Sequence, residues 1–235
     1  MAEFTPMMKH YLEIKKEHPE ALIFYRLGDF YELFFDDAKL ASRELDLTLT
    51  GRSAGQKDKV PMCGVPHHAV NGYIQRLINK GYKVAIVEQL EDPAQAIGLV
   101  KRDIIKIITP GTILDDSLDE KQSIYLGAIE DYRYGYAITI TELATGQTTG
   151  FLLDHDSTEL VQFIKAKGLK ELVVSSEMIS DKKIRKIAKM ARITLSECDD
   201  DELKPTYEKL LVKIDDQRIR KSFARLTNYL ELTQK

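Results

Sequence analysis

Apolar and polar positions follow two different periods along this chain, and each change of period marks an element. Thr5 and Pro6 read as a cap and a first helical residue, and Met8, Tyr11 and Leu12 then fall on one helical stripe. Ala21–Tyr25 (ALIFY) is a short apolar run of strand length; Gly28 and Asp29 interrupt it, and Phe30–Phe34 (FYELF) resumes as a second strand. Asp36 or Asp37 is expected to cap a helix running to about Leu45. Gly51–Lys59 (GRSAGQKDK) reads as a loop with no core-forming residue. A helix near Ala69–Lys80 stops at Gly81, and Tyr82–Gln89 and Lys106–Thr109 read as strands.

The pattern changes after Pro110. Thr109–Ser123 (TPGTILDDSLDEKQS) is the best linker candidate, and three strand-like runs follow at Ile124–Glu130, Tyr136–Leu143 and Gln147–Leu153. Their tight connections predict an antiparallel meander. Asp156, with Glu159 three residues on, opens a helix ending at Gly168; Leu172–Ser175, Asp181–Ala191 and Ile193–Ser196 then read as strand, helix and strand. A last helix, about Asp216–Leu232, carries Ile219, Phe223, Leu226 and Leu230 on one stripe. The expected fold class is α/β: an α+β mixed-sheet domain over 1–113, a linker over 114–122, and an α/β domain of ribonuclease-H-like strand and helix order over 123–235.

Composition narrows the class without naming a function. Apolar residues make up 43% and charged residues 30%, which excludes a disordered or fibrous chain. No stretch approaches the roughly 18 uncharged apolar residues of a membrane helix, and the acidic N-terminal stretch has no signal-peptide core. The expected location is therefore the cytoplasm. Cys63 and Cys198 lack C-x-x-C spacing, which excludes a disulfide scaffold and a structural zinc site, and Cys63 reads as a small core residue. The net charge of −3 is not that of a polycation, and neither part of the chain about Pro110 is strongly basic. Any contact with nucleic acid must be local.

Catalytic motifs are absent: there is no G-x-x-x-x-G-K-[ST] loop, no G-x-G-x-x-G and no G-x-S-x-G. His67 and His68 are adjacent, a spacing better suited to one packed and one solvent-facing histidine than to a metal. A ribonuclease-H-like order raises a rival expectation, a stand-alone resolvase-type nuclease binding two Mg²⁺ on clustered carboxylates. Glu130 and Asp131 end the first strand of that domain and Glu159 lies on its first helix. Glu171 precedes the fourth strand, which supplies no acid, so the set is incomplete. The basic helix with Lys182, Lys183, Arg185, Lys186, Lys189 and Arg192 reads as a solvated face or as a docking surface for DNA or another protein.

The segment Leu22–Ala38 is the most informative. On a strand Phe30, Glu32 and Phe34 share a face, which suits an edge strand whose Glu32 reaches water, a helical i,i+4 contact between Phe30 and Phe34, or an exposed aromatic wedge with an acceptor beside it. GDFYELFFDDA, followed in order by LDLTLTGR, PMCGVPHHAV, VAIVEQLEDPA and TPGT, closely resembles the N-terminal region of the MutS family of bacterial DNA mismatch-repair proteins. These blocks span 1–113, and the remainder resembles the family's connector domain by position more than by motif.

The resemblance implies roles residue by residue. The family's Phe-x-Glu motif falls on Phe30-Tyr31-Glu32, where the phenylalanine enters the minor groove and stacks on a mispaired or unpaired base and the glutamate hydrogen-bonds that base. Arg52 matches a basic position beside the DNA backbone, Lys57 and Lys59 extend the positive patch, and Met62 matches a position packing into the minor groove beside the wedge. The implied partner is double-stranded DNA with mismatches or small insertion/deletion loops. A MutL-like protein is expected to touch the connector domain, and a homodimer is expected of the full-length parent. The implied fragment has no catalytic or metal-binding residue; ATP and Mg²⁺ belong to the parent, and the expected location is nucleoid-associated.

Overall fold

The computed structural model describes residues 3–91, 100–113 and 124–234. Two compact units divide at Thr109/Pro110. The expected linker, 114–122, lies outside the described residues.

The first unit opens with helix α1 (Pro6–Glu17), whose first position is the proline the sequence marked. Its inner stripe is Met8, Tyr11 and Ile14. Leu12, expected in that stripe, is only partly buried, because Ile14 rather than Leu12 continues the three-residue step from Tyr11. Strands β1 (Ala21–Leu27) and β2 (Phe30–Phe34) form a hairpin whose two-residue turn holds Gly28 at φ +56°, a conformation that favours glycine. Helix α2 (Phe35–Leu45) follows β2 with no connecting loop, the chain reversing at Phe35 with φ +53°. A left-handed phenylalanine costs on the order of 1–3 kcal/mol and persists only where packing holds it. Here the Phe4 ring meets it edge-on at 5.9 Å. Asp36 and Asp37 therefore sit inside the first turn of α2, and neither is the cap the sequence suggested; Phe34 occupies that position without a side-chain bond.

Strands β3 (Thr50–Arg52) and β4 (Val60–Pro66) pair antiparallel. The loop expected over 51–59 thus begins with a short strand, and it contains a core residue: Ala54 is fully buried. Its backbone carbonyl accepts the Thr5 N–H at 2.9 Å, fastening the loop to the start of α1. A 3₁₀ turn at His67–Ala69 leads into α3 (Val70–Asn79), then β5 (Lys83–Gln89) and β6 (Arg102–Ile108), which starts earlier than the expected Lys106. Both His67 and His68 are exposed, so neither is the packed member of the expected pair. The six strands lie in the order β3-β4-β2-β1-β5-β6, with only β1 and β5 parallel. Helix α1 and residues Ile23, Tyr25, Phe34, Ala85 and Val87 close one face. The opposite-facing residues of β1, β2 and β4 (Leu22, Phe24, Leu33, Cys63) are buried on the side of α2 and α3.

One buried carboxylate ties this unit together. Asp37 is 5% exposed; it accepts the Tyr11 hydroxyl at 2.9 Å and the Ile23 N–H at 3.1 Å, and the Lys15 ammonium lies 2.8 Å away. Helix α1, strand β1 and helix α2 therefore meet at one side chain. Burial and the neighbouring Asp37 charge together push the Tyr11 hydroxyl well above the ordinary tyrosine range.

The second unit contains β7 (Tyr125–Tyr132), β8 (Gly135–Glu142), β9 (Thr148–Asp154), α4 (Ser157–Lys167), β10 (Leu169–Val174), α5 (Ser176–Ser180), α6 (Lys182–Ala191), β11 (Thr194–Glu197), a 3₁₀ segment Pro205–Leu211 and α7 (Gln217–Thr233). Strand order is β11-β10-β7-β8-β9, the first three in sequence being antiparallel and the last two parallel to β7. This is the α/β arrangement expected from the strand and helix order. Asp156 and Asp181 cap α4 and α6 through backbone N–H groups, and Gly168 ends α4 in the left-handed conformation. Helix α5 and the 3₁₀ segment carry no periodic signal long enough to read. Glu171 lies within β10 and not before it, because the strand begins at Leu169.

The Asp37 cluster yields the first expectation. Asp37→Ala leaves the buried Ile23 N–H without its carboxylate acceptor, at about 1–3 kcal/mol, and leaves the Tyr11 hydroxyl only its longer bond to the Phe34 carbonyl at 3.3 Å. Urea unfolding followed by tyrosine fluorescence should show stability lower by about 1–4 kcal/mol, and Tyr11→Phe should lose less.

Candidate nucleic-acid interface

The Gly28-Asp29 turn is held at both ends. Leu27 pairs with Phe30, and the Asp29 carbonyl accepts the His67 N–H at 2.8 Å, joining the turn to the end of β4. Phe30 thus begins β2 on a fixed backbone, between Leu27 and Pro66, and is 48% exposed. Phe34, four residues on along the same face, is fully buried against Tyr11, with ring centroids 5.0 Å apart and nearly perpendicular. One strand face therefore runs from core to solvent over its length, and the shared face read in the sequence divides into an anchored end and an open one.

Glu32 lies between them. Its partner across β4 is Gly64, where an added Cβ would stand 3.2 Å from the Tyr31 carbonyl oxygen and 3.5 Å from the Glu32 Cγ. The bare backbone leaves a trough on this face. Through it the Glu32 carboxylate reaches Arg52, one strand further out on β3, and the two form an ion pair. Arg52 is thus on a strand rather than in the loop. Met62 occupies the next position of β4 on the same face, opposite Phe34 and Thr50, and packs partly buried on the α1-side core. Phe30, Glu32, Arg52 and Met62 are brought onto one face of three adjacent strands. Lys57 and Lys59 are exposed in the adjoining loop, and the stem of Lys59 lies over Gly51.

Sequence reasoning missed the Glu32–Arg52 pair, which depends on a long-range register. It also passed over Gly64, whose place inside the strand-like run PMCGVP is the usual sign of a close approach. On the other face, buried Tyr31 donates its hydroxyl to Glu88; Arg26 lies 3.5 Å from the same carboxylate and 5.5 Å from the ring centroid. Burial first, and the Glu88 bond next, push the Tyr31 hydroxyl up to about 12. Cys63 is fully buried, and desolvation raises its thiol to about 11, as suits a core residue.

In the second unit a cleft of about 690 Å³ opens where β7 and β10 end, with Glu130, Asp131, Asp181, Asp199 and Asp201 in its lining. Each of these five acids is engaged within the protein, while Glu177, also in the lining, is exposed. Glu130 and Asp201 both bind Arg225, at 2.6 and 2.9 Å, with Lys221 beside them. Asp131 pairs with His155 at 2.8 Å, Asp199 accepts the Ser176 N–H, and Asp181 caps α6. Glu171 is buried, taking bonds from the Gly111 N–H and the Ser196 and Tyr229 hydroxyls. Among the described residues no group of three or more His, Cys, Asp or Glu is arranged to hold a metal ion, and the nuclease reading is not favoured.

The sheet with its exposed aromatic and its guanidinium–carboxylate pair lies in a part of the chain that a known family covers. Residues 5–117 match the family described as MutS domain I, and this part of the chain belongs to it. Over its whole length the chain is 41% identical to the DNA mismatch repair protein MutS of Bacillus cereus (strain G9842), 43% to that of Bacillus pumilus and 40% to that of Oceanobacillus iheyensis. It spans 26%, 27% and 27% of their lengths. Among the described residues no helix is long and apolar enough to cross a membrane.

Tyr31 supplies a pH test of this region. A hydroxyl whose native pKa lies above the ordinary value of about 10 stabilises the fold fully below that value. The stability is lost as pH rises through about 12. Buried Tyr11 acts in the same direction, so the comparison must be with a variant. Tyr31→Phe should flatten the loss of stability in alkaline urea titrations; a profile identical to the parent's would remove Tyr31 as its source.

Proposed function

We propose that the first unit recognises mispaired and unpaired bases in duplex DNA and that the second serves as the connector of a longer mismatch-repair protein. The observation that carries the reading is the half-exposed Phe30 at the open end of a strand whose other end is fixed in the core. A ring held this way can enter a base step from the minor groove without the backbone having to order first. Stacking returns about 1–3 kcal/mol per base and is tolerant of base identity. Unstacking costs a few kcal/mol and is least where pairing is already defective. Discrimination thus rests on the lesion's lower deformation energy.

Glu32 accepts an N–H of the displaced base. Its pairing with Arg52 in the free protein adds a step: the carboxylate becomes available when a DNA phosphate takes over the guanidinium, which suits bidentate phosphate binding. Met62 packs beside the wedge, and Lys57 and Lys59 contribute further backbone contacts. In this reading the chain itself performs no catalysis. ATP and Mg²⁺ act in the remainder of the longer protein, which also forms the homodimer, and a MutL-like protein engages the second unit. The protein works in the cytoplasm on nucleoid DNA.

Fluorescence anisotropy at low salt with matched and single-T-bulge duplexes provides the test. Phe30→Ala should abolish preference for the bulge while the fold survives; retained preference would sink the assignment. Glu32→Ala, which removes a carboxylate near phosphates and frees Arg52, should narrow the preference by strengthening matched binding. A fall in affinity with an unchanged ratio contradicts the role given to Glu32.

A further inference from the structure

The chain's charge is unevenly placed. Its net charge is −3, yet residues 157–193 hold nine Lys and Arg against four acids, and 182–192 (KKIRKIAKMAR) hold six cations and no acid. Helix α6 turns Ile184, Ile187, Ala188 and Ala191 inward. Its outward positions recur at three- and four-residue steps, placing Lys182, Lys186, Lys189 and Arg192 along one exposed face about 15 Å long. Helix α4 packs against α6. Both helices precede strands that run parallel to each other, so their C-terminal ends point the same way. Exposed Lys165 on α4 and Lys170 at the start of β10 therefore join the basic end. None of these six side chains makes an ion pair with a described residue, whereas Lys183 is drawn inward over the Tyr136 ring and Arg185 to the Ile179 carbonyl.

Helix C-termini account for part of this charge, since cations in the last turn complement the dipole. They do not account for Lys182 at the first turn or for an acid-free outer face. We infer that the α4–α6 face is a second DNA contact, made to the phosphodiester backbone and indifferent to sequence and to mispairing. The face fits DNA better than a protein partner. Protein interfaces centre on a desolvated apolar or aromatic anchor, and here the only large exposed apolar side chain on α6 is Met190. A row of flexible ammonium groups is the composition of a phosphate-binding surface, whose energy comes from counterion release. The inference rests on the second unit alone and does not depend on the roles of Phe30 and Glu32.

The experiment measures binding of the whole chain to a fluorescein-labelled matched duplex across a salt series, with unlabelled poly-glutamate as competitor. The test variant is Lys182→Gln/Lys186→Gln/Lys189→Gln/Arg192→Gln, whose glutamines keep helix propensity close to the parent's; circular dichroism confirms that it folds. The log–log salt slope should become shallower by about 0.9 for each phosphate no longer neutralised, so by up to about 3–4. Matched and single-T-bulge affinities should fall by the same factor, leaving their ratio intact. Phe30→Ala should do the reverse, losing the ratio and keeping the slope, so the two readings fail separately. An unchanged slope in a folded variant overturns the inference. So does absence of DNA binding by the parent at low salt, or displacement by poly-glutamate at concentrations equal in charge to the duplex, which would mark the face as one for acidic protein.

Discussion

The first unit depends on a buried carboxylate. Asp37 accepts from a helix, from a strand and from a lysine at once, and it does so within the first turn of α2, immediately after the left-handed Phe35. Buried charge of this kind is a poor source of net stability but a strict one of geometry, since removing any partner strands the rest. The junction from β2 into α2 has no loop to absorb error. Holding it fixes where β2 ends, and the pairing of Phe30 with Leu27 and Pro66 fixes where it begins.

The site is then a consequence of register. Glu32 stands opposite Gly64, and Arg52 lies two strands from it in the same sheet. A side chain at Gly64 would close the trough between them. The same strand sends Tyr31 and Leu33 to the opposite face and Phe34 under α1. Within five residues β2 supplies an exposed ring, a paired carboxylate and two layers of core.

Most of the fold was legible because its elements carry strong local patterns. ALIFY, FYELF and YKVAIVEQ are apolar runs of strand length, and the last helix shows its stripe openly. What stayed hidden depends on contacts distant in sequence. Whether Asp36 or Asp37 caps, packs or faces solvent is decided by Tyr11 and Lys15, both on a different helix. The loop at 51–59 has a buried alanine because α1 reaches it, and nothing within GQKDK announces that. Glu171 looked like an acid at a strand's edge and is a buried acceptor, since β10 starts at Leu169, ahead of its apolar run. For the site, Phe30 and Glu32 could be singled out by an odd acid between two phenylalanines, and the resemblance to MutS supplied roles for Arg52 and Met62. The pairing of Glu32 with Arg52 needed the sheet.

That ion pair also bears on how the surface behaves before any partner arrives. A guanidinium and a carboxylate held together cancel each other's field beyond a few ångströms, the more so in physiological salt. The pair itself is therefore electrically quiet at a distance and becomes polar only on close contact. In the proposed reading, sequence-indifferent attraction that lets a protein slide along duplex is then left to other parts of the chain, and the pair at Phe30 acts only where the ring meets a base step.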